Sequence, residues 1–486
     1  MIPDKIVNWV DGGNASPSSG VWLDKFDPST GELLSQIGES SGADVQQAVG
    51  AAWEAFEKWS EQTAVKRGQI LGDLVSLMKK HADALADCIA LETGKPPLDA
   101  QGEVNASILQ GEYWAGEGMR LHGRSLTSSV PDKHSYTIRQ PLGVAGLIVP
   151  ANTPIANIAW KIFPALLCGN TAVLKASEDS PYIAYLIAKL SREAGLPAGV
   201  LNVVQGSGSP TGRSLVEDER VSVISFTGST AVGRWIAESA GKNLKRVSLE
   251  LGGNNPFVVC EDADIDQAVH WASLSAFSNA GQRCASASRI FVFSDVYDDF
   301  KHRLVTKVKG LRLGTENGCD LGPVINQAQH QRVIQAITLA KSEGGRVLCG
   351  GGIPLNKKLE GGYYIEPTLV ENLQPEALLN QEEIFGPVAT ISPVSDIDEA
   401  IAKANFSQYG LTSAIHTRDI DRAMWFARQV KSGVANINLG TFGSEPHMPF
   451  GGFGLSGNGT REPGLEALDV YSELKNISCL TRRNLL

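Results

Sequence analysis

Four short apolar runs decide the fold of this chain, and in order they read VAGLIV (144–149), TAVLK (171–175), VLNVV (200–204) and SVISFT (222–227). Each run carries β-branched residues, which favour buried strands. After the second run, residues 182–194 have helical periodicity, and Gly195 and Pro197 end the predicted helix. Alternating strands and helices indicate a parallel sheet with helices on its faces. Because ligands bind at the carboxyl ends of such strands, the segment predicts a nucleotide-binding unit.

The same α/β pattern extends on both sides of this segment. Upstream, residues 44–56 (DVQQAVGAAWEAF) place apolar side chains at helical spacing and predict a helix. Downstream, FVVC (257–260), RIFVFS (289–294) and VATISPV (388–394) predict strands of a second α/β domain. No low-complexity linker or long charge block separates the two halves, so we expect closely packed domains.

Length and charge restrict the class of protein. A chain of 486 residues has room for two or three domains. The net charge of −10 argues against nucleic acid or an anionic membrane as a partner, because both attract basic surfaces. The first residues lack the pattern of a secretory signal, and asparagines and prolines interrupt the most apolar stretch, residues 142–174. We therefore expect a cytoplasmic protein.

The cysteines argue against a disulfide framework or a zinc site. They are odd in number and none are spaced as CxxC. Reduced thiols and no bound metal are therefore expected, and one thiol could serve as a nucleophile. The seven are Cys88, Cys168, Cys260, Cys284, Cys319, Cys349 and Cys479.

Two motifs are suited to a dinucleotide. In FTGSTAVG (226–233) a strand leads through a Gly-Ser-Thr turn to a helix from about Ala231, so backbone N–H groups and Ser229 could hold a phosphate. The same pattern also fits an ordinary strand–turn–helix corner. In LKASE (174–178), Lys175 and Glu178 could bond ribose hydroxyls, or they could be a solvated surface pair. A carboxylate there would repel a 2′-phosphate and favour NAD over NADP.

Two further motifs are suited to catalysis. Glu250 lies in LELGGNNP (249–256), where an apolar setting would raise its pKa towards that of a general base. The alternative is a glutamate on the exposed face of an edge strand. Cys284 lies in NAGQRCASASR (279–289) among small and polar residues, and the adjacent Arg283 could lower the pKa of its thiol. The alternative is an inert buried cysteine.

In combination these motifs resemble the aldehyde dehydrogenase superfamily over nearly the whole chain. LELGG and GQRC look like the two active-site signatures of that family. The remaining segments are similar to its oxyanion, nicotinamide-side and C-terminal segments, and they read PANTP (150–154), EEIFGP (382–387) and PFGGFGLSGNGTREPG (449–464).

The resemblance implies a role for each candidate catalytic residue. Cys284 would attack the aldehyde carbon, and the amide of Asn152 with the Cys284 backbone N–H would stabilise the oxyanion. Glu250 would activate the water that hydrolyses the resulting thioester. Lys161 would lie in the polar network of the active site.

The resemblance also implies which residues bind NAD, or less favourably NADP. Lys175 and Glu178 would hold the adenosine ribose, with Trp160 near the adenine. Ser229, with Gly228 and Gly233 of its turn, would bind the pyrophosphate. On the other side of the cofactor, Glu383 would bind the nicotinamide ribose and Phe385 would pack beside it.

Three residues bear on the choice of aldehyde. Thr153 stands where the family usually carries an aromatic residue, which could open the substrate tunnel. The GQRC, GGNNP and SGNGTREPG segments look most like those of semialdehyde dehydrogenases, such as the 2-oxoglutarate semialdehyde enzymes. Arg283 could bind a substrate carboxylate, or it could point away and serve structure. Glu445 in the loop 439–448 could instead favour a cationic aminoaldehyde.

The implied fold is α/β, with a Rossmann-like NAD-binding domain (1–120 and 142–253) and an α/β catalytic domain (254–454). A small β oligomerisation element would comprise 121–141 and 465–486, where LDVYSELKNISCL (468–480) alternates in part like a strand. An exposed strand edge there would invite pairing in a homodimer or homotetramer.

Two other functions compete with this interpretation. An acylating dehydrogenase would transfer the acyl group to coenzyme A, but it needs no water-activating base such as Glu250. A non-catalytic binding protein could keep the fold. Such a protein should have lost Cys284, Glu250 or Asn152, and the chain retains all three.

Overall fold

The computed structural model describes residues 2–481 of the chain. The strands, in chain order, are β1 (Lys5–Ile6), β2 (Asn8–Val10), β3 (Gly13–Ala15), β4 (Trp22–Phe26), β5 (Leu33–Gly38), β6 (Ser125–Leu126), β7 (Lys133–Pro141), β8 (Val144–Ile148), β9 (Thr171–Lys175), β10 (Leu201–Val204), β11 (Val221–Thr227), β12 (Arg246–Glu250), β13 (Asn255–Val259), β14 (Ala287–Phe293), β15 (Arg346–Cys349), β16 (Thr368–Glu371), β17 (Val388–Val394), β18 (Tyr409–Gly410), β19 (Thr412–His416), β20 (Val434–Ile437), β21 (Phe453–Gly454) and β22 (Ser472–Leu480).

The α-helices surround these strands. In chain order they are α1 (Gly42–Ser60), α2 (Ala64–Lys80), α3 (Ala82–Thr93), α4 (Pro97–Glu117), α5 (Pro154–Leu167), α6 (Pro181–Glu193), α7 (Arg213–Glu217), α8 (Thr230–Gly241), α9 (Ile265–Phe277), α10 (Tyr297–Lys309), α11 (Gln327–Ser342), α12 (Leu378–Gln381), α13 (Ile397–Asn405), α14 (Ile420–Gln429) and α15 (Ala467–Tyr471).

The first large sheet contains the four runs that predicted a nucleotide-binding unit. Its strand order is β12-β11-β8-β9-β10-β2-β3. The strands from β12 to β10 are parallel, and β2 and β3 add an antiparallel edge. Helices cover both faces of the parallel part, which explains why its strands read as nearly continuous apolar runs. The predicted parallel sheet is therefore confirmed, and the two helices predicted at 44–56 and 182–194 are α1 and α6.

The second large sheet has the order β15-β16-β17-β14-β13-β19-β20. All of its pairings are parallel except that of β15 with β16. The three runs predicted as downstream strands are β13, β14 and β17. The proposed domain boundary at residue 253 falls between β12 of the first sheet and β13 of the second.

The C-terminal segment divides between two environments. The side chains of α15 are buried in the core of the first half, and this helix packs on α5. After it, β22 pairs with β7 along nine residues, and β6 lies on the other side of β7. Assigning the whole of 465–481 to an oligomerisation element was therefore wrong, because α15 belongs to the nucleotide-binding half. Residues 482–486 of that prediction lie outside the described residues.

Residues 2–481 contain neither a membrane-spanning helix nor a cluster of metal-binding side chains. No helix there combines the length and the apolar character that a bilayer crossing requires. No group of three His, Cys, Asp or Glu side chains is arranged to hold a metal ion. All seven cysteines are free thiols.

Candidate active site

A cavity of about 260 Å³ lies where the carboxyl ends of β11 and β12 face the second half of the chain. This is the edge of a parallel sheet at which ligands bind. Both halves contribute to its wall, and the residues include Asn152, Thr153, Trp160, Gly228, Ser229, Glu250, Cys284, Glu383 and Phe385. Most of the residues singled out from the sequence are thus brought together.

Cys284 follows a tight turn that precedes β14. Asn279 and Ala280 both have φ of 53°, and Gly281 has φ of 67°. A side chain on Gly281 would collide with the backbone of Gly386, so the turn packs directly against the segment that carries Phe385. Left-handed backbone at non-glycine residues is strained and is held by the structure around it. The turn fixes the position at which Cys284 enters the cavity.

The surroundings of Cys284 favour the protonated thiol. Its pKa is raised to about 12, first by burial and then by the negative charges of Glu383 and Glu250. Arg283 lowers the pKa, but by less than these groups raise it. The lowering effect expected from Arg283 is therefore present, but burial and two carboxyl groups remote in sequence outweigh it. Nucleophilic attack requires that this proton be removed.

Asn152 is held mainly through its backbone. Its carbonyl oxygen accepts a hydrogen bond of 3.0 Å from Asn279 Nδ2. Its own Nδ2 donates to the carbonyl of Gln282 at 2.8 Å, while Oδ1 is buried without a partner among the described residues. An amide nitrogen has two protons, so one remains available on the wall that Asn152 shares with Cys284.

Glu250 is the last residue of β12, and only 3% of it is exposed. Neither carboxyl oxygen has a hydrogen-bond partner within residues 2–481. Burial, and then the charge of Glu462, raise the pKa of Glu250 well above its usual value, whereas Lys161 and Arg461 lower it. The alternative of a glutamate on the exposed face of an edge strand is excluded. A buried carboxyl group with free oxygens and a raised pKa suits general-base chemistry.

A buried polar network lies behind Glu250. Lys161 Nζ donates to Ser225 Oγ at 2.7 Å and to Glu462 Oε2 at 2.8 Å. The hydroxyl of Tyr471 donates to Glu462 Oε1 at 2.7 Å. Lys161 was predicted in such a network, but Glu462 was missed. The TREPG segment that contains it was noted, yet nothing in its local sequence indicates that this glutamate is fully buried.

The two candidate adenosine-ribose residues lie together at the end of β9. Lys175 is 3% exposed, and its Nζ forms an ion pair of 3.1 Å with Glu178 Oε2. Glu178 is only half-buried, so part of its carboxylate is accessible to solvent. The alternative of a solvated surface pair does not fit, because Lys175 is buried.

The turn after β11 leads into α8 as the sequence predicted. Ser229 is the N-cap of α8, and its Oγ accepts a hydrogen bond from Val232 N at 3.4 Å. A side chain on Gly228 would collide with the ring of Phe226, and one on Gly233 would collide with Leu251. Close packing thus explains both glycines. At Gly233, α8 packs directly against Leu251, which lines the cavity. The helix N-terminus remains suited to an anion.

Glu383 occupies the opposite side of the cavity. It accepts a hydrogen bond of 3.0 Å from Gly253 N, and burial raises its pKa to about 7. A Cβ on Gly252 would lie 2.5 Å from Glu383 Oε2, so the glycine pair of LELGG admits this carboxyl group. Phe385, with φ of 58°, lies on the same wall. A half-buried acceptor on the cavity wall fits the hydroxyls of a ribose.

Trp160 lies beside the candidate nucleophile. Its ring packs against Phe450 with centroids 5.3 Å apart, and both residues cluster with Cys284. It also lines a second cavity of about 370 Å³ that opens on the other side of the cysteine. Helix α5 thus places Trp160 on the walls of both cavities that contain Cys284, and its expected place near the adenine stays a prediction.

The second cavity brings together the three candidate substrate residues. Thr153, Arg283 and Glu445 line it with Cys284. The guanidinium of Arg283 lies 5.0 Å from the ring centre of Phe442. Its Nε is buried without a partner in the described part of the chain, and no acidic side chain there pairs with it. The cavity therefore contains, beside the thiol, an arginine without an ion-pair partner in the described part of the chain, and the carboxyl groups of Asp99, Glu103 and Glu445 line the same cavity.

Comparison with known proteins decides the family. The family model described as "Aldehyde dehydrogenase family" matches residues 15–477. The chain belongs to the aldehyde dehydrogenase family. It is 40% identical to aldehyde dehydrogenase 1A1 of Rattus norvegicus over 467 residues, which are 95% of this chain and 92% of the rat protein.

Other members of the aldehyde dehydrogenase family agree in sequence and in structure. Alpha-ketoglutarate semialdehyde dehydrogenase of Haloferax volcanii is 37% identical over 478 residues, covering 98% of this chain and 99% of that protein. A solved structure of betaine aldehyde dehydrogenase from Staphylococcus aureus, in complex with NAD+, has a TM-score of 0.95 at 33% identity and covers 99% of this chain and 95% of its own. The expected fold class, an α/β aldehyde dehydrogenase fold, is confirmed.

Proposed function

We propose that the chain oxidises an aldehyde to a carboxylate with NAD, through a thioester on Cys284. One observation carries this proposal: the thiol of Cys284, the amide of Asn152 and the unpartnered carboxyl group of Glu250 line a single cavity. These are the nucleophile, the oxyanion donor and the general base that the reaction needs. Membership of the aldehyde dehydrogenase family supports it.

The acylation half begins with attack by sulfur. The thiol proton of Cys284 passes to solvent water, Sγ bonds to the aldehyde carbon, and the electron pair of the carbonyl π bond moves to oxygen, which becomes an alkoxide. The free amide proton of Asn152 and the Cys284 backbone N–H stabilise that charge. An aldehyde has no other leaving group, so the tetrahedral alkoxide re-forms its carbonyl by expelling the hydrogen as hydride. NAD, when bound, would be the acceptor of that hydride. A thioester remains on Cys284.

The deacylation half depends on Glu250. Its carboxylate takes a proton from water while the water oxygen bonds to the acyl carbon. The carbon–sulfur bond then breaks with its electron pair going to sulfur, which releases the carboxylic acid and leaves Cys284 as a thiolate. The acid and the protonated Glu250 then lose their protons to solvent. Lys161 and Glu462 set the charge around Glu250 and thereby its proton affinity.

The residues for NAD divide into two groups. Lys175 and Glu178 bind the adenosine ribose, and the Ser229 turn receives the pyrophosphate at the start of α8. Glu383 binds the nicotinamide ribose, supported by its place on the cavity wall, where its carboxyl group accepts a hydrogen bond from Gly253 N. The carboxylate of Glu178 disfavours the 2′-phosphate of NADP.

The substrate is a semialdehyde with a carboxylate at its far end. Arg283 lines the second cavity beside Cys284 with no acidic partner among the described residues, which leaves its charge for a substrate. The Haloferax volcanii relative is named for such a substrate. Glu445 is exposed, so its charge acts at the entrance of the second cavity rather than on the aldehyde group beside Cys284.

In the cell the protein is a cytoplasmic homodimer or homotetramer. The basis is the long strand β22, whose outer edge has no strand partner within residues 2–481. An unpaired edge of nine residues is a template for pairing with another subunit.

A panel of aldehydes tests the proposed function. The purified protein is given carboxylated semialdehydes, aminoaldehydes and neutral aldehydes with NAD or NADP, each with and without coenzyme A. We expect NADH and free acid from the semialdehydes without coenzyme A. An acyl-coenzyme A product would establish the acylating alternative, and no reduced cofactor under any condition would refute the proposal.

A further inference from the structure

A buried ion pair adjoins the backbone of the oxyanion residue. Lys95 lies after α3 and Glu103 lies in α4, and they are 3% and 7% exposed. Lys95 Nζ and Glu103 Oε2 are 2.5 Å apart. Both line the second cavity close to Asn152, and neither lines the cavity that faces Ser229 and Glu383.

Each partner also bonds the segment that contains Asn152. Lys95 Nζ donates to the backbone carbonyl of Asn152 at 2.8 Å. Glu103 Oε1 accepts from the backbone N–H groups of Ile155 at 3.0 Å and Ala156 at 3.3 Å, in the first turn of α5. One ion pair is therefore hydrogen-bonded both to the backbone carbonyl of Asn152 and to the first turn of α5.

The helix depends on this external carboxylate. Thr153, the N-cap of α5, makes no side-chain capping bond, because its Oγ1 accepts instead from Asn157 Nδ2 at 2.9 Å. The open N–H groups at the start of a helix favour a negative charge, which Glu103 provides. Lys95 neutralises that buried charge, and removal of either partner would leave the other unpaired.

The side chain of Asn152 has little support of its own. Within residues 2–481 its only hydrogen bond is the one from Nδ2 to Gln282 O. The direction of its remaining amide proton therefore follows from where the backbone of Asn152 is held. A displacement of about 1 Å at a reacting group is enough to cost about a hundredfold in rate.

We propose that Lys95 and Glu103 are positioning residues that hold Asn152 in place for oxyanion stabilisation. They act through the backbone of residues 152–156 and touch no reacting atom. This inference rests on the oxyanion role proposed for Asn152.

The test is the rate of the first NADH turnover in Lys95→Met and Glu103→Gln. Methionine keeps the length of the lysine stem and removes its donors, while glutamine keeps an acceptor oxygen and removes the charge. We expect the rate constant of the NADH burst to fall by about ten- to a hundredfold, with the Kd for NAD unchanged. Lys79→Met is the matched control, because it removes a lysine from an exposed pair with Glu112. It should leave both quantities unchanged.

A double-mutant cycle separates positioning from a general effect on folding. If Lys95 acts through Asn152, adding Lys95→Met to Asn152→Ala should slow the burst no further than Asn152→Ala alone. Multiplied losses, or a weakened Kd for NAD, would overturn the inference. If Lys95→Met does not fold, the same cycle is made with Glu103→Gln.

The two proposals fail in different ways. A normal burst in Asn152→Ala would refute the oxyanion role and with it part of the proposed function. A slow burst in Asn152→Ala together with a normal burst in Lys95→Met would overturn the positioning role alone.

Discussion

Lys161 and Glu462 form an ion pair of 2.8 Å in which at most 1% of either side chain is exposed. The two partners act oppositely on Glu250, because Glu462 raises its pKa and Lys161 lowers it. Neither residue lines the cavity itself. The Lys161–Glu462 pair thus influences the proton affinity of the proposed base, Glu250, without lining the cavity.

Neutralising Glu462 should move the pH dependence of deacylation. Glu250 acts as a base only after it loses its proton, so turnover rises with pH through its raised pKa. The charge of Glu462 is one cause of the raised pKa of Glu250, and Glu462→Gln removes it. The rising limb of the pH–kcat profile should therefore move to lower pH. Lys161→Met should move it to higher pH. The exposed Glu466, changed to Gln, is the control. A limb that stays in place or moves in the opposite direction contradicts the account.

Replacing Glu250 itself should separate the two half-reactions. In Glu250→Gln the first turnover still produces NADH, because acylation does not need the water-activating base. Steady-state turnover should then fall by about 10²- to 10⁴-fold, the usual contribution of a general base. Stopped-flow NADH absorbance measures both phases. If burst and steady state fell equally, Glu250 would not be the deacylation base.

Removal of the unpaired cation should change substrate preference. Arg283→Met should lower kcat/KM for carboxylated semialdehydes by about ten- to a hundredfold, since hydrogen bonds to charged groups contribute about 1.5–3 kcal/mol. Neutral aldehydes of similar length should be unaffected. Glu445→Gln is the opposite control and should slightly favour the carboxylated substrates. Unchanged discrimination in Arg283→Met would show that this arginine serves structure.

Cofactor preference should depend on the carboxylate of Glu178. Glu178→Gln removes the charge that repels a 2′-phosphate and leaves Lys175 without its ion pair. The ratio of kcat/KM for NAD to that for NADP should therefore fall by about tenfold, or about 1.4 kcal/mol. Glu217→Gln, which removes a carboxylate from an exposed pair with Arg213, should leave the ratio unchanged. A ratio that does not move in Glu178→Gln would remove this residue from cofactor selection.

The sequence predicted the parts of the fold that have a strong local pattern. The strands of the first sheet are apolar along most of their length because helices cover both faces, so β8, β9, β10 and β11 were recognisable. Strands β1 to β5 were missed, and β1 has only two residues, too few to show a period. Helix α15 was read as part of a strand, because its five residues run directly into β22.

The site could be predicted where one residue type in one motif defines the chemistry. Cys284, Glu250 and Asn152 were found in this way and lie on one cavity. The environment of these residues could not be predicted, because it depends on groups far apart in the chain. Burial and the charges of Glu383 and Glu250 raise the pKa of Cys284 by more than its neighbour Arg283 lowers it.

Cys284 is the residue that carries the acyl group in the proposed reaction. The most direct test mixes Glu250→Gln with NAD and a substrate aldehyde, quenches the reaction after one turnover, and locates the mass increase by peptide mass spectrometry. We predict an acyl adduct on the peptide that contains Cys284, formed only when both aldehyde and NAD are present, and none in the Cys284→Ala/Glu250→Gln double variant. NADH formation without that adduct, or with an adduct on another residue, would contradict the account.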